Sequence, residues 1–387
     1  MRADHRGAPV LRVAVLSPLR NLLDYAPPAS GKTPGPGALV RVPLGSGQAR
    51  GIVVDIGEET RQQRLKQTLE VLQPALLDEH LLDLARWCWN YYQHPPGQVL
   101  TTTVPAYVRK HGTIPERTIE AFRLTPAGAS ADAAELGRAP RQKELWQLLA
   151  EGPCTDRELA TPQPKAWRQT LTRMQKRGWV ESCPAPHQVA AGLPRPGPEL
   201  SSEQAAAANA ITATLGDFAA VLLFGITGSG KTEVYIQALR ATFERGEQAL
   251  VLVPEIGLTP QLVQDLEQRL GLEVSVLHSG MTARQRAQSW GAARAGHARV
   301  VLGTRSAVFV PLQRPGLIVV DEEQDASYKQ FEGFLYSARD VAVRRAQMLG
   351  IPVVLGSATP SLESLDNVAC GRYRLLQLSQ RAGGALE

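Results

Sequence analysis

The sequence is poor in cysteine and has no long apolar run, and each shortage excludes a class of protein. Its 4 cysteines are scattered over 387 residues without a Cys-x-x-Cys pair, so their spacing predicts neither a zinc knuckle nor a disulfide framework. We therefore expect a reduced, cytoplasmic setting. No apolar stretch approaches the roughly 18 residues of a membrane helix, and the first 18 residues do not resemble a signal peptide. The sequence therefore predicts no membrane span.

Charge is moderate and slightly positive. Charged residues make up 20% of the chain and hydrophobic residues 43%, a balance that excludes the disordered and fibrous classes. The isoelectric point near 9.1 and the net charge of +5 favour a polyanionic partner, although only weakly.

Changes of composition along the chain predict its organisation. Residues 1–110 contain short apolar strands between glycines and prolines, which predicts a small β-rich domain. A helix at 79–92 carries aromatic residues that we expect in a core, although they could also stack on bases. Residues 111–183 predict an irregular connector and then a winged helix, whose basic third helix suits either DNA phosphates or solvent. The proline-rich residues 184–199 predict a stiff linker.

From residue 200 onward, apolar runs alternate with helical patterns, which predicts an α/β lobe with a parallel sheet. Within this lobe, Gly225-Ile-Thr-Gly-Ser-Gly-Lys-Thr232 fits the phosphate-loop pattern between a strand and a helix. Glycines let backbone N–H groups turn toward a triphosphate, and the helix N-terminus adds positive potential. We expect the loop to bind ATP through the following residues: Gly225, Gly228, Ser229, Gly230, Lys231 and Thr232.

Polar motifs follow three later apolar runs, where the carboxyl ends of parallel strands meet. In Asp321-Glu-Glu-Gln324, Asp321 is placed to hold Mg²⁺ together with the Thr232 hydroxyl, and Glu322 to orient and deprotonate the attacking water. Lys231, Asp321 and Glu322 are the predicted catalytic residues. Gly303-Thr-Arg-Ser306 and Gly356-Ser-Ala-Thr359 could bond the acidic motif or a nucleic-acid backbone.

These motifs, with Val253-Pro-Glu-Ile-Gly-Leu-Thr-Pro-Gln261 and Ser327-Tyr-Lys-Gln330, resemble the first, RecA-like motor lobe of superfamily 2 helicases. The resemblance is to the PriA family of bacterial replication-restart helicases in particular, and it covers residues 200–383. It implies that Gln204 lies near the adenine of ATP. It also implies an aromatic-rich loop at 328–336 that couples DNA contact to hydrolysis. The expected DNA-binding residues of this lobe are Arg305, Tyr328, Lys329, Phe331 and Phe334.

The resemblance extends upstream, where Asp24-Tyr25, Arg50-Gly-Ile-Val53 and Leu65-Lys66 are similar to the domain that grips the 3′ end of a nascent leading strand. Asp24 and Lys66 would then line the pocket for the terminal nucleotide. The family implies an ATP-dependent 3′–5′ DNA helicase that recognises stalled forks and helps to load the replicative helicase. Forked DNA, single-strand-binding protein and other primosome proteins are the implied partners.

Two departures from the family pattern affect these expectations. Gln324 stands where the family usually has histidine, which puts the coupling of DNA binding to hydrolysis in question. The chain also stops at Glu387, where the family continues into a zinc module and a second motor lobe with an arginine finger. We expect zinc only in that longer form and weak or absent turnover by the isolated chain. Two alternatives remain: a non-catalytic adaptor that binds forks, and a general superfamily 2 DNA translocase.

Overall fold

The computed structural model describes residues 9–29, 31–58, 60, 64–116, 120–131, 140–155, 159, 167–184 and 194–381. The chain forms two compact units. One contains the described residues up to Pro115 together with those from Pro194 onward, and the other contains those between.

The first unit begins with a six-stranded sheet. Its strands are β1 (Val10–Val15), β2 (Leu23–Ala26), β3 (Leu39–Leu44), β4 (Gly47–Gly57), β5 (Lys66–Gln67) and β6 (Glu70–Gln73), in the order β5-β2-β1-β4-β3-β6. All neighbours are antiparallel except β2 and β5. Three helices follow, α1 (Glu79–Tyr91), α2 (Pro96–Thr103) and α3 (Ala106–His111). Asp78 starts α1 because its carboxylate accepts a hydrogen bond from the Leu81 amide.

The second unit is a small α+β domain. Its strands β7 (Glu120–Leu124), β8 (Cys154–Thr155) and β9 (Val180–Pro184) form an antiparallel sheet with β7 in the centre. Helices α4 (Pro126–Ala129), α5 (Pro140–Glu151) and α6 (Trp167–Lys176) accompany it, and a core around Leu145 and Met174 fills the unit. The sequence predicts an irregular connector where α3, β7 and α4 lie. Residues 156–158, where the sequence predicts the second helix of the winged helix, the start of its third helix before residue 167, and residues 185–193 of the linker lie outside the described residues.

The motor lobe contains a seven-stranded, fully parallel sheet. Its strands are β10 (Ala220–Gly225), β11 (Gln248–Leu252), β12 (Val274–Leu277), β13 (Val300–Gly303), β14 (Pro315–Val320), β15 (Val353–Ser357) and β16 (Arg374–Leu378), in the order β12-β13-β11-β14-β15-β10-β16. The inner strands, such as β10, β11 and β14, are buried on both faces, which explains their continuous apolar runs. The helices are α7 (Ser202–Thr212), α8 (Lys231–Glu244), α9 (Pro260–Leu270), α10 (Ala283–Arg294), α11 (Ala338–Leu349) and α12 (Leu362–Ala369).

The helices after the N-terminal sheet pack directly on the motor lobe. One apolar core joins Leu84 and Leu100 of α1 and α2 to Phe309 and Leu355 of the lobe. The guanidinium of Arg294 donates hydrogen bonds to the carbonyl oxygens of Ala75 and Leu76. Within the described part of the chain, no helix has the length and apolarity required to cross a membrane.

Candidate nucleotide site and nucleic-acid interface

The phosphate loop joins the end of β10 to the start of α8, next to the edge strand β16 of the parallel sheet. Gly228 and Gly230 have φ angles of 80° and 79°, which side-chain-bearing residues rarely adopt. A Cβ on Gly225 would lie 2.4 Å from the Ser229 hydroxyl oxygen, so this position has no room for a side chain. Lys231 Nζ donates a hydrogen bond to the Gly225 carbonyl oxygen at 3.1 Å and lies 3.5 Å from Glu322 Oε1. The lysine therefore lies between the loop and the acidic motif.

Gln204 supports the loop from behind. Its side chain is buried, with Nε2 donating to the Ser229 carbonyl oxygen at 2.8 Å and Oε1 accepting from the Ser201 amide at 2.9 Å. Both ends of the amide that we expected near the adenine are thus engaged with the protein. Among the described residues, the buried Ser229 hydroxyl has no hydrogen-bond partner. A buried hydroxyl without a partner is costly, and a phosphate oxygen would supply an acceptor for it.

Asp321 follows β14 directly and is held by two tyrosines. The Tyr235 hydroxyl donates to Asp321 Oδ1 at 2.9 Å, and the Tyr328 hydroxyl donates to the Asp321 carbonyl oxygen at 2.6 Å. Burial raises the pKa of the Asp321 carboxyl, while the Tyr235 hydrogen bond and the Lys231 charge oppose this shift. A Cβ on Gly356 would lie 1.6 Å from the Tyr235 hydroxyl oxygen. Glycine is therefore the residue that fits beside this pair.

A chain of hydrogen bonds joins the acidic motif to the end of β15. The Thr359 amide donates to Ser357 Oγ at 2.9 Å, and the Ser357 hydroxyl donates to Gln324 Oε1 at 2.6 Å. Gln324 Nε2 then donates to Glu322 Oε2 at 2.9 Å. Glu322 has a φ of 47°, a strained conformation for a residue with a side chain and one that often occurs at functional sites. Gln324 thus connects two of the motifs that the sequence places at neighbouring strand ends.

Glu323 belongs to the same acidic run, but the sequence reasoning assigned it no role. Its side chain is fully buried and forms a 3.1 Å ion pair with Arg339. It also accepts hydrogen bonds from the Ser361 amide at 2.7 Å and the Ser364 hydroxyl at 2.9 Å. The sequence offered one indication of this role. Residues 338–340, Ala-Arg-Asp, also fit the family pattern, and they contain Arg339, the ion-pair partner of Glu323. Glu323 fixes the start of α12 to the end of β14.

The structure separates the expected DNA-binding residues of the motor lobe into two groups. Tyr328 and Phe334 are buried, at 1% and 3% exposure, so neither ring has a free face for a base. We expected both residues to contact DNA; in this structure Tyr328 bonds Asp321, and Phe334 stacks on Tyr336 at 4.8 Å. Phe331 is 74% exposed, and Lys329 is also exposed. These two side chains remain available to a nucleic acid.

Arg305, the remaining expected DNA contact, braces the segment that carries these residues. Its Nη1 donates to the carbonyl oxygens of Ser327 at 3.1 Å and Lys329 at 2.8 Å. The other end of the segment meets the N-terminal region, where the Ser337 amide donates to the Tyr92 hydroxyl and the Leu335 amide donates to His94 Nε2, both at 3.3 Å. We call residues 328–337 the aromatic segment. Its conformation thus depends on both parts of the first unit.

Asp24 and Lys66 both lie near one edge of the N-terminal sheet. They lie on the paired strands β2 and β5, in which Tyr25 is opposite Lys66. The Thr60 hydroxyl donates to Asp24 Oδ2 at 2.7 Å, and Lys66 Nζ donates to the Gly45 carbonyl oxygen at 3.3 Å. The fold therefore places on adjacent strands two residues that are distant in the sequence, although each has a different hydrogen-bond partner.

A parallel sheet with a phosphate loop and an acidic motif at its carboxyl edge defines the class of the lobe as a RecA-like nucleotide-binding motor domain. Two family models match the chain. A DEAD/DEAH box helicase model matches residues 202–368, and a PriA 3′DNA-binding domain model matches residues 12–105.

Similar curated proteins cover nearly the whole chain. A replication restart protein PriA of Haemophilus influenzae is 38% identical in an alignment 390 residues long, which covers 97% of this chain and 52% of that protein. The PriA of Chlamydia muridarum is 34% identical with the same coverage of both chains, 97% and 52%. The chain therefore belongs to the PriA family of replication restart proteins. It spans about half the length of the curated relatives it matches.

Solved helicase structures are more distant. RecG bound to a three-way DNA junction has a TM-score of 0.37 and 17% identity. The match covers 67% of this chain and 36% of the RecG chain. The Pyrococcus furiosus Hef helicase domain has a TM-score of 0.36 and 18% identity. The match covers 46% of this chain and 38% of the Hef chain. The assignment of the motor fold rests on the strand order and on the family models.

Proposed function

We propose that the chain provides the ATP-binding lobe and the 3′-end-binding domain of an ATP-dependent 3′–5′ DNA helicase of replication restart. The observation that carries this proposal is the position of Lys231. Its ammonium lies 3.1 Å from the loop carbonyl and 3.5 Å from Glu322, which Gln324 connects to Ser357. The residues proposed to bind phosphate and to activate water would thus lie next to each other, and Gln324 would link them to the end of the neighbouring strand β15.

In this proposal, the chain's own residues position and polarise ATP. The loop amides and Lys231 would bind the phosphates, and the Ser229 hydroxyl would donate to one phosphate oxygen. Glu322 would orient the attacking water and accept its proton. Thr232 and Asp321 would hold Mg²⁺, which neutralises charge on the phosphates when bound. The described residues contain no cluster of three or more potential metal ligands, which suits an ion held partly by substrate oxygens.

The DNA-facing part of the proposal rests on the N-terminal sheet edge and on the aromatic segment. Asp24 and Lys66 would receive the terminal nucleotide of a nascent strand, and Phe331 would stack on an unpaired base. The family suggests stalled forks as the substrate, with single-strand-binding protein and other primosome proteins as partners. A protein that acts at replication forks of a bacterial chromosome would be located in the cytoplasm.

The test is nucleotide binding and hydrolysis by this chain with forked DNA that carries a nascent 3′ end. We expect Lys231→Ala to weaken MgATP binding by about tenfold or more, because a charge-assisted hydrogen bond contributes about 1.5–3 kcal/mol. Lys143→Ala removes an exposed lysine of the second unit and serves as the matched control. Equal MgATP affinity of the Lys231→Ala variant and the wild type would contradict the proposal. Fork binding without hydrolysis would favour the adaptor function instead.

A further inference from the structure

A cavity lies where the N-terminal helices meet the motor lobe, and no residue of the phosphate loop lines it. Its volume is about 170 Å³, and it is lined on one side by the end of α2 and the start of α3. The other side is formed by α10 and by the turn after β13, at residues 306–310. One water molecule needs about 10–15 Å³ of such space, so the cavity has room for a larger polar group.

The charges that line this cavity are all positive. Arg109 from α3 and Arg286 from α10 both contribute to the wall, and the described lining residues include no aspartate or glutamate. Neither arginine forms an ion pair with a described residue. Burial and the nearby charge of Arg286 lower the pKa of Arg109, as expected for like charges brought together. Arg109 Nε donates to the Val104 carbonyl oxygen at 3.1 Å, which fixes the guanidinium in place.

An unpartnered donor in the same wall is an independent sign of a missing acceptor. Trp290 lines the cavity and is 4% exposed, and its Nε1 has no hydrogen-bond acceptor among the described residues. Buried indole N–H groups usually find a partner. Two guanidinium groups and an indole N–H, without a carboxylate, match the hydrogen-bonding needs of a phosphate group.

Arg286 also connects this cavity to the proposed DNA-binding surface. It lines an adjoining groove together with Arg305, Gln330 and Phe334, which belong to the aromatic segment or brace it. A strand bound along this groove would therefore reach Arg286, which lines both the groove and the cavity.

We propose that Arg109, Arg286 and Trp290 form a phosphate-binding site at the junction of the N-terminal region and the motor lobe, and that it holds a backbone phosphate of single-stranded DNA. The proposal rests on the DNA-binding function proposed above. Because the site joins residues from both sides of the junction, a strand bound there would hold the two parts in one arrangement. Phosphate contacts carry no base preference, so the site would act on any sequence.

The experiment measures binding of the full chain to fluorescent dT and dA oligonucleotides by anisotropy at several salt concentrations. We expect Arg286→Gln and Arg109→Gln each to weaken binding about three- to tenfold in low salt, equally for both oligonucleotides. The logarithmic salt dependence should become shallower by about 0.7, the value for one phosphate contact of a single strand. Arg284→Gln, an exposed arginine on the same helix, is the matched control and should change neither quantity.

A calorimetric titration with inorganic pyrophosphate, carried out in the Lys231→Ala background to weaken binding at the phosphate loop, distinguishes the source of the phosphate. If Arg286→Gln abolishes pyrophosphate binding but leaves the oligonucleotide salt slope unchanged, the DNA assignment is overturned in favour of a free phosphate compound. Unchanged binding of both probes by folded Arg286→Gln and Arg109→Gln variants would overturn the site altogether. If the wild-type chain binds no oligonucleotide, the proposed DNA-binding function fails first, and that outcome is distinct from the other two.

Discussion

At the scale of single residues, Gln324 shows how one side chain connects two motifs. Its amide receives a hydrogen bond from Ser357 and donates one to Glu322. We expect Gln324→Ala to reduce the free energy of unfolding by about 0.5–1.5 kcal/mol per lost hydrogen bond. Nucleotide affinity should remain unchanged, because Lys231 keeps its contact with Gly225.

The measurement is chemical denaturation together with ATP hydrolysis in the presence and absence of DNA. We expect the variant to lose DNA stimulation of whatever turnover the wild type shows. Gln347→Ala is a suitable control, because that exposed side chain bonds Arg344 within α11 instead. DNA stimulation that persists in Gln324→Ala would show that the hydrogen-bond chain plays no part in coupling.

The buried Asp321 carboxyl should make stability depend on pH. Burial raises the pKa of this carboxyl above the ordinary 3.8. Between the ordinary pKa and the raised pKa, the folded state therefore binds a proton more readily than the unfolded state. The cost of the buried charge is therefore complete above the folded-state pKa and disappears as the pH falls toward 3.8. We expect Asp321→Asn to melt higher than the wild type at pH 7, with a difference that shrinks in acid.

Thermal melts at a series of pH values would measure this difference. The exposed Asp217→Asn provides the comparison and should show no such trend. An Asp321→Asn variant that melts lower than the wild type at pH 7 would mean that the hydrogen bond from Tyr235 outweighs the burial cost.

Residues in contiguous patterns were the most predictable part of the site. Lys231 and Gly228 lie in one short motif whose geometry is local, so the sequence alone places them in a phosphate loop. Tyr328 and Phe334 were not predictable in this way, since an aromatic side chain in a loop has the same sequence signal whether it is buried or exposed. Their burial depends on partners as distant as Tyr92, which contacts Phe334 at 5.7 Å.

At the scale of elements, the aromatic segment depends on the loop after α1. The Ser337 amide donates to the Tyr92 hydroxyl at 3.3 Å. We expect Tyr92→Phe to accelerate hydrogen exchange at Ser337, by about fivefold if the bond contributes about 1 kcal/mol. Tyr91→Phe is the matched control, because Tyr91 is 64% exposed. Equal exchange rates in the two variants would contradict the role of Tyr92 in holding the segment.

Several of the elements that the sequence did not predict are short strands with distant partners. Strands β2 and β5 have four and two residues, too few for an alternating pattern to be recognised. Strand β16 has a mixed burial pattern at the sheet edge, and β7 pairs with β9 across most of the second unit. In each case the partner strand, rather than the local sequence, determines the structure.

At the scale of the whole molecule, the N-terminal helices and the motor lobe share one apolar core. We expect Leu84→Ala, which opens a cavity in that core, to cost about 2–5 kcal/mol and to destabilise residues 9–116 and 194–381 together. Leu149→Ala is the matched variant, because it lies in the separate core of the second unit and should lower only that unit's transition.

Calorimetry combined with hydrogen exchange by segment would measure both effects. Faster exchange confined to residues 9–116 in the Leu84→Ala variant would show that the two regions unfold independently, despite their shared core. A lower transition for both units in either variant would contradict their separation.

The order of strands in the motor sheet has a consequence for synthesis on the ribosome. Strand β10, which leads into the phosphate loop, is paired with β15 and β16, the last two strands of the sheet. These partners leave the ribosome long after β10 itself, because Ala220 is opposite Val353 and Gly225 is opposite Leu378. The nascent chain therefore cannot complete the sheet around its nucleotide site until translation has passed Leu378. Until then the apolar β10 lacks its partner strands and is open to aggregation or to binding by chaperones.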